Sequence, residues 1–185
     1  MSSNSYQYRA AVHDFQSVRQ RASIQEVLAR VTGKSTRLLS YEEVAGKLKL
    51  QVRTERGLQD IPLDAIVGSV GRYTDFTRTF LPRRMEDQQR WVGVRTAMER
   101  GEGLPPIEVY KVGEVYFVVD GNHRVSIARQ QGFKIIQARV IEFQTDINLT
   151  PDVQPDDLIV KAEYADFRSA TRIHEARPNV DLSVT

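Results

Sequence analysis

Asp120, Gly121, Asn122, His123 and Arg124 place the most chemistry of this chain in one short stretch. They follow Val115-Tyr-Phe-Val-Val119, whose β-branched and aromatic side chains predict a strand. Beyond them Val125, Ile127 and Ala128 keep a helical period and Gly132 marks a stop, which predicts a helix of about two to three turns. His123 and Arg124 then fall in the first helical turn, where free backbone N–H groups and the macrodipole are already partly positive. A like charge there costs about 0.3–1 kcal/mol, and an anion at the same spot removes the cost. A strand, a tight Gly turn and a helix start lined with His and Arg therefore predict a phosphate-sized site. The competing reading is a plain turn, capped by Asp120 or Asn122, with both cations in water.

Each residue has two readings. The planar fork of Arg124 either grips two phosphate oxygens or pairs with Glu114 or Asp120. His123 either hydrogen-bonds a phosphate oxygen, its pKa raised by the anion, or caps the helix half-exposed. Gly121 allows close backbone approach, and Ser126, one turn on, offers a hydroxyl. Asp120 is the candidate base or Mg²⁺ ligand at the strand's end, or an N-cap. Gly68-Ser-Val-Gly-Arg-Tyr73 is either a loop aiming N–H groups at an anion, with Arg72 as an extra clamp, or an ordinary turn. Trp91 reads as core, and core packing is favoured over a base pocket for Tyr73 and Phe76.

Several elements must position these groups. Tyr8, Val12, Phe15, Val18 and Ala22 predict a helix. Ser23-Ile-Gln-Glu26 reads as a capping box that starts a second helix, with Ile24, Val27, Leu28 and Val31 inward. Ser40-Tyr-Glu-Glu43 reads as another box before Val44, Ala45 and Leu48. The link between these two helices is longer than a helix-turn-helix allows, so a helical arm on the core is expected. Short strands are predicted at Gln51–Thr54 and Ile61–Val67, and a helix with Trp91, Val94, Ala97 and Met98 inward. A hairpin then joins Ile107–Val112 to Val115–Asp120 through Gly113-Glu114, and a last strand covers Gln137–Phe143. The tail is acidic from Asp146, with weak helical periodicity over Leu158–Ala170.

The chain's 185 residues suit one domain with appendages, and 41% hydrophobic content suits a packed core. It has no cysteine, which removes disulfides, thiolate metal sites and thiol nucleophiles and fits a reducing cytoplasm. His13, His123 and His174 lie too far apart in sequence to suggest a metal cluster. No apolar run approaches a spanning helix, and Met-Ser-Ser-Asn-Ser is no secretory leader, so a cytoplasmic protein without a membrane partner is expected. Net charge is +2. Residues 1–100 hold 17 Lys and Arg against 11 Asp and Glu, and residues 101–185 hold 9 against 13. This asymmetry permits contact with a polyanion such as DNA through the first part.

Ile61-Pro-Leu-Asp64, Pro82-Arg83-Arg84, Leu104-Pro-Pro-Ile-Glu-Val109, Asp120-Gly-Asn-His-Arg124 and Gly132, in that order, resemble the ParB/sulfiredoxin superfamily over roughly residues 58–143. The resemblance implies an α+β fold: a small mixed sheet with helices, here carrying an N-terminal helical arm (1–50), a core domain (51–145) and a C-terminal extension (146–185). It implies that Gly121, Asn122, His123, Arg124 and Ser126 bind a nucleoside triphosphate, CTP or ATP with Mg²⁺. Arg83 aligns with the Pro-Arg of ParB proteins. Sulfiredoxins resemble Gly-Cys-His-Arg at this loop, and Asn122 in place of the Cys removes reductase chemistry. ParB proteins, which bind CTP and DNA, resemble Gly-Glu-Arg-Arg. The free serine kinases resemble Asp-Gly-His-His-Arg, which differs here at Asn122 alone, but no counterpart of their separate catalytic glutamate is found. No helix-turn-helix follows the loop. The Val67–Tyr73 loop also resembles uncharacterised bacterial proteins with a ParB-like domain, some of which continue beyond this tail. Three functions are implied: a nucleotide-binding regulatory domain that controls homodimer association or DNA contact, a phosphotransferase on a small hydroxylated molecule, and a non-catalytic interaction module.

Overall fold

The computed structural model describes residues 3–33, 35–102, 105–158, 160 and 163. The fold is α+β. A six-stranded mixed sheet has the order β1-β3-β5-β4-β6-β2, built from β1 (Leu39–Ser40), β2 (Arg53–Pro62), β3 (Ile66–Ser69), β4 (Ile107–Val112), β5 (Val115–Asp120) and β6 (Ile135–Phe143). The helices are α1 (Ser3–Thr32), α2 (Tyr41–Lys47), α3 (Gln88–Glu99) and α4 (Asn122–Gln130). The β4–β5 hairpin turns at Gly113-Glu114 as expected, pairing Val112 with Val115. β5 lies parallel to β3, and β4 parallel to β6.

The sheet separates two cores. On one face Val118, Val109, Ile107, Ala138 and Val140 pack against Val125 and Ala128 of α4 and against Phe76 and Phe80. On the other, Phe117, Val115, Val112 and Val67 pack against Val44 of α2 and against Leu149, Val153 and Leu158. A third cluster joins Phe15, Val18 and Ala22 of α1 to Trp91 and Val92 of α3 and Ile127 of α4. α4 is thus covered on two sides, by the sheet and by α1 with α3. Residues on either side of the borders expected at 50 and 145 join these cores: β1 and α2 before the first, Leu149 to Leu158 after the second.

Three local expectations are corrected. There is no helix break at Ser23, because nothing between Ser3 and Thr32 is Gly or Pro and the Ser23 hydroxyl bonds back to the Arg19 carbonyl (3.3 Å) instead of capping. The inward face of α1 is Ala11, Phe15, Val18 and Ala22, which pack with α3 and α4, while Tyr8, Ile24, Val27, Leu28 and Val31 are exposed. The stretch Ile61–Val67 is not one strand. β2 runs to Pro62 and a 3₁₀ turn at Leu63–Ala65 leads into β3. β2 lacked a period-2 signal because it is an edge strand, paired with β6 alone and exposed along most of its length. By contrast Ser40 caps α2 as expected, its hydroxyl accepting from the Glu43 N–H at 3.3 Å. Most of Leu158–Ala170 lies outside the described residues, apart from buried Leu158 and exposed Val160 and Glu163.

Candidate functional site

β5 delivers the chain into Gly121, whose φ of +109° lies in the left-handed region, and α4 starts at the next residue. A Cβ at Gly121 would also stand 2.5 Å from the Ile107 side chain. The turn needs glycine for its own conformation and for packing on β4, before any ligand is considered. The N-cap position of α4 is Gly121 itself, which has no side chain to offer. Among the described residues neither Asp120 nor Asn122 closes its N-terminus, and no side chain accepts from the first-turn N–H groups.

His123 is buried, and neither ring nitrogen has a hydrogen-bond partner. Its Nε2 lies 3.6 Å from Asp87 Oδ1 and its ring meets Phe76 edge-on, centroids 5.3 Å apart. Burial pushes its pKa down to about 4, helped by Arg72 and Arg90 and opposed by Asp87 and Asp75. At neutral pH the imidazole is uncharged. The first turn therefore carries one cation, Arg124, and the expected crowding of two charges does not arise.

That cation is held by protein acceptors. Arg124 donates to the Pro105 carbonyl, to the Pro106 carbonyl at 2.8 Å and to Asp120, which makes the Asp120 pair rather than the Glu114 pair. The fork assigned to phosphate oxygens thus ties the start of β4 to the end of β5. The Asp120 side chain is 71% exposed.

Other candidates are dispersed. The Ser126 hydroxyl faces the core, accepting from Trp91 Nε1 at 3.1 Å. Arg83 staples α1 through Glu26 (2.6 Å) and receives Arg19 on its carbonyl. The Val70–Arg72 turn takes the plain reading. Its N–H groups go to the Val118 carbonyl, Glu42 and the Val70 carbonyl, so none is aimed at an anion. Phe76 is core, and Tyr73 packs against that core.

Arg72, however, does reach His123, through two carboxylates that the sequence reading missed. Its Nε donates to Asp75 (2.8 Å) and its Nη2 to Asp87 Oδ1 (2.7 Å). Burial opposes its charge, but the bonds to Asp75 and Asp87 hold its pKa above the ordinary value. Asp87 is buried at the end of a 3₁₀ turn (Met85–Asp87), and its Oδ2 has no partner. Asp75 also pairs with Arg84 at 3.3 Å. Asp87 sits between a 3₁₀ turn and α3, a position that reads in sequence as an ordinary helix start. Among the described residues no three His, Cys, Asp or Glu are grouped to hold a metal. None of the described helices is long and apolar enough to cross a membrane.

Comparison with known proteins adds little to this geometry. No family model matches the chain, and no curated protein matches it. Among solved structures it is similar to a sulfiredoxin from Arabidopsis thaliana, at 20% identity over 45% of this chain and 82% of that one. The TM-score is 0.34, which assigns neither a branch nor an activity.

Proposed function

We propose that this chain is a ParB/sulfiredoxin-like regulatory domain that binds a nucleoside triphosphate, CTP or ATP, with its phosphates on residues 121–124. One observation carries the reading: α4 begins on Gly121, which has no side chain to cap it, at the very turn where His123 is buried with both ring nitrogens unpartnered. Buried polar atoms without partners are rare and call for an explanation, and an anion at a helix N-terminus supplies one. Asn122 and His123 would meet the phosphates through backbone N–H groups and the imidazole. Arg124 joins them only by exchanging Asp120 or a proline carbonyl, and Arg72 acts through Asp87. A Mg²⁺ held mainly by phosphate oxygens and water fits the exposed Asp120 carboxylate. Nucleotide binding would control self-association or contact with DNA.

A second reading, phosphoryl transfer to a small hydroxylated molecule, is favoured by Asp87. It places a buried carboxylate oxygen without a partner beside His123, where a base for an acceptor hydroxyl would stand.

A thermal-shift panel of ATP, CTP, GTP and UTP, each with and without Mg²⁺, tests the shared claim. Binding at 100-fold over Kd adds about 2.7 kcal/mol of stability. Sedimentation beside a diphosphate-release assay then separates the readings. Regulation predicts a changed sedimentation coefficient with little turnover, and transfer predicts the reverse. Flat responses from all four nucleotides leave the interaction module.

A further inference from the structure

We propose that Asp87 is a working part of the anion site, making His123 take up a proton as the anion binds, so that the site accepts phosphate together with H⁺. This rests on the anion-binding reading of α4 and adds to it a residue and a proton.

A neutral imidazole has a single N–H and serves one acceptor, whereas the protonated ring donates from both nitrogens. His123 has one acceptor already beside it, Asp87 Oδ1 at 3.6 Å from Nε2. A phosphate on the first turn of α4 supplies a second. With a neutral ring the single N–H serves one of the two, and Asp87 keeps only its bond from Arg72, its Oδ2 still unpartnered at a cost. With a protonated ring each anion has its own charge-assisted bond. The distance to Asp87 is long for a hydrogen bond, as such contacts often are before a ligand tightens them.

The charged groups facing the ring come from each element packed on it: Asp87 from the 3₁₀ turn, Arg90 from α3, and Arg72 and Asp75 from the segment after β3. The two arginines and the burial keep the ring neutral in the chain by itself. Arg72 is bonded to both aspartates, so its charge is compensated and fixed in place. Added negative charge on the other side of the ring is what shifts the balance toward the proton.

The experiment follows the ring proton of His123 by NMR on the full chain at pH 6.5, with and without saturating ATP or CTP and no added divalent cation. Three histidines are present, so His13 and His174 serve as internal references, and His123→Gln assigns the signal. The expected result is a neutral ring without nucleotide and a protonated ring with it. Affinity should then fall by up to tenfold per pH unit as pH rises above about 4, until it passes the ring's raised value in the complex, as uptake of one proton requires. Asp87→Asn should leave the ring neutral in whatever complex it still forms. Saturable binding with a ring that stays neutral in wild type overturns the role of Asp87 and His123 while sparing the anion site. An Asp87→Asn ring that protonates as in wild type overturns the role of Asp87. Absence of saturable binding by either nucleotide overturns the anion site and this inference together.

Discussion

At the residue scale, His123 and Arg124 exchange the importance their side-chain types suggest. Arg124 is a structural clamp in this chain, with its guanidinium on two carbonyls and Asp120. Arg124→Ala should cost about 1.5–3 kcal/mol, the usual worth of hydrogen bonds from a charged group. Urea unfolding of the variant checks this, and a loss under about 0.5 kcal/mol would show the clamp to be idle. His123 is the chemically poised residue because burial keeps it neutral. Its folded pKa of about 4 lies below the ordinary 6.5. The unfolded chain therefore binds the extra proton first, and His123 costs stability as pH falls from about 6.5 to about 4. The loss should approach about 3 kcal/mol. His123→Gln should lack that share of the acid destabilisation. Denaturation midpoints of both proteins at pH 7 and pH 4.5 measure it, and parallel curves would contradict a neutral buried ring.

At the element scale, α1 does two different jobs along one continuous helix. Its stretch as far as Ala22 buries Phe15, Val18 and Ala22 against α3 and α4, and its last third leaves Ile24, Val27, Leu28 and Val31 exposed. Phe15→Ala should destabilise by about 3–5 kcal/mol through the cavity it leaves, whereas Leu28→Ser should stay within about 0.5 kcal/mol. Equal losses in chemical denaturation would mean that the last third is buried after all. The β5–α4 turn is the other decisive element. Gly121→Ala forces a methyl into the left-handed region and against Ile107. A loss of more than about 1 kcal/mol is expected, together with weaker nucleotide binding because the first turn of α4 moves. A fully stable Gly121→Ala variant would show that the turn tolerates a side chain.

At the scale of the whole molecule, the sheet is completed by segments far apart in sequence. β1 lies at one edge, β2 at the other, and Leu149, Val153 and Leu158 cover the face opposite α4. Arg78 ties that covering segment down through the Pro151 (3.1 Å) and Val153 (2.6 Å) carbonyls. A chain ended at residue 145 should therefore lose cooperative unfolding, since each buried leucine removed costs about 2–5 kcal/mol against a total of about 5–15 kcal/mol. Calorimetry would show a broadened or missing transition. A sharp transition at the full-length temperature would make the segment dispensable.

The sequence alone determined what depends on neighbours along the chain. The β4–β5 hairpin follows from two apolar runs around Gly113-Glu114, the start of α4 from Gly121 and the helical period after it, and the start of α2 from the Ser40 capping box. These are local choices of backbone conformation, and residue type decides them. The sequence also marked His123 and Arg72 as candidates, without a reason to join them. Only the tertiary structure decided that Asp87 and Asp75 connect the two, that Arg124 is held by protein carbonyls, and that Ser126 answers Trp91. Those outcomes depend on which groups are brought together across long separations, and on burial, which turned His123 from an expected cation into a neutral ring. Only the two ends of the edge strand β2 were predicted, at Arg53–Thr54 and Ile61–Pro62, since a strand exposed along most of its length carries no alternation to read. Period and spacing record the faces that local elements present, and packing alone decides what each face meets.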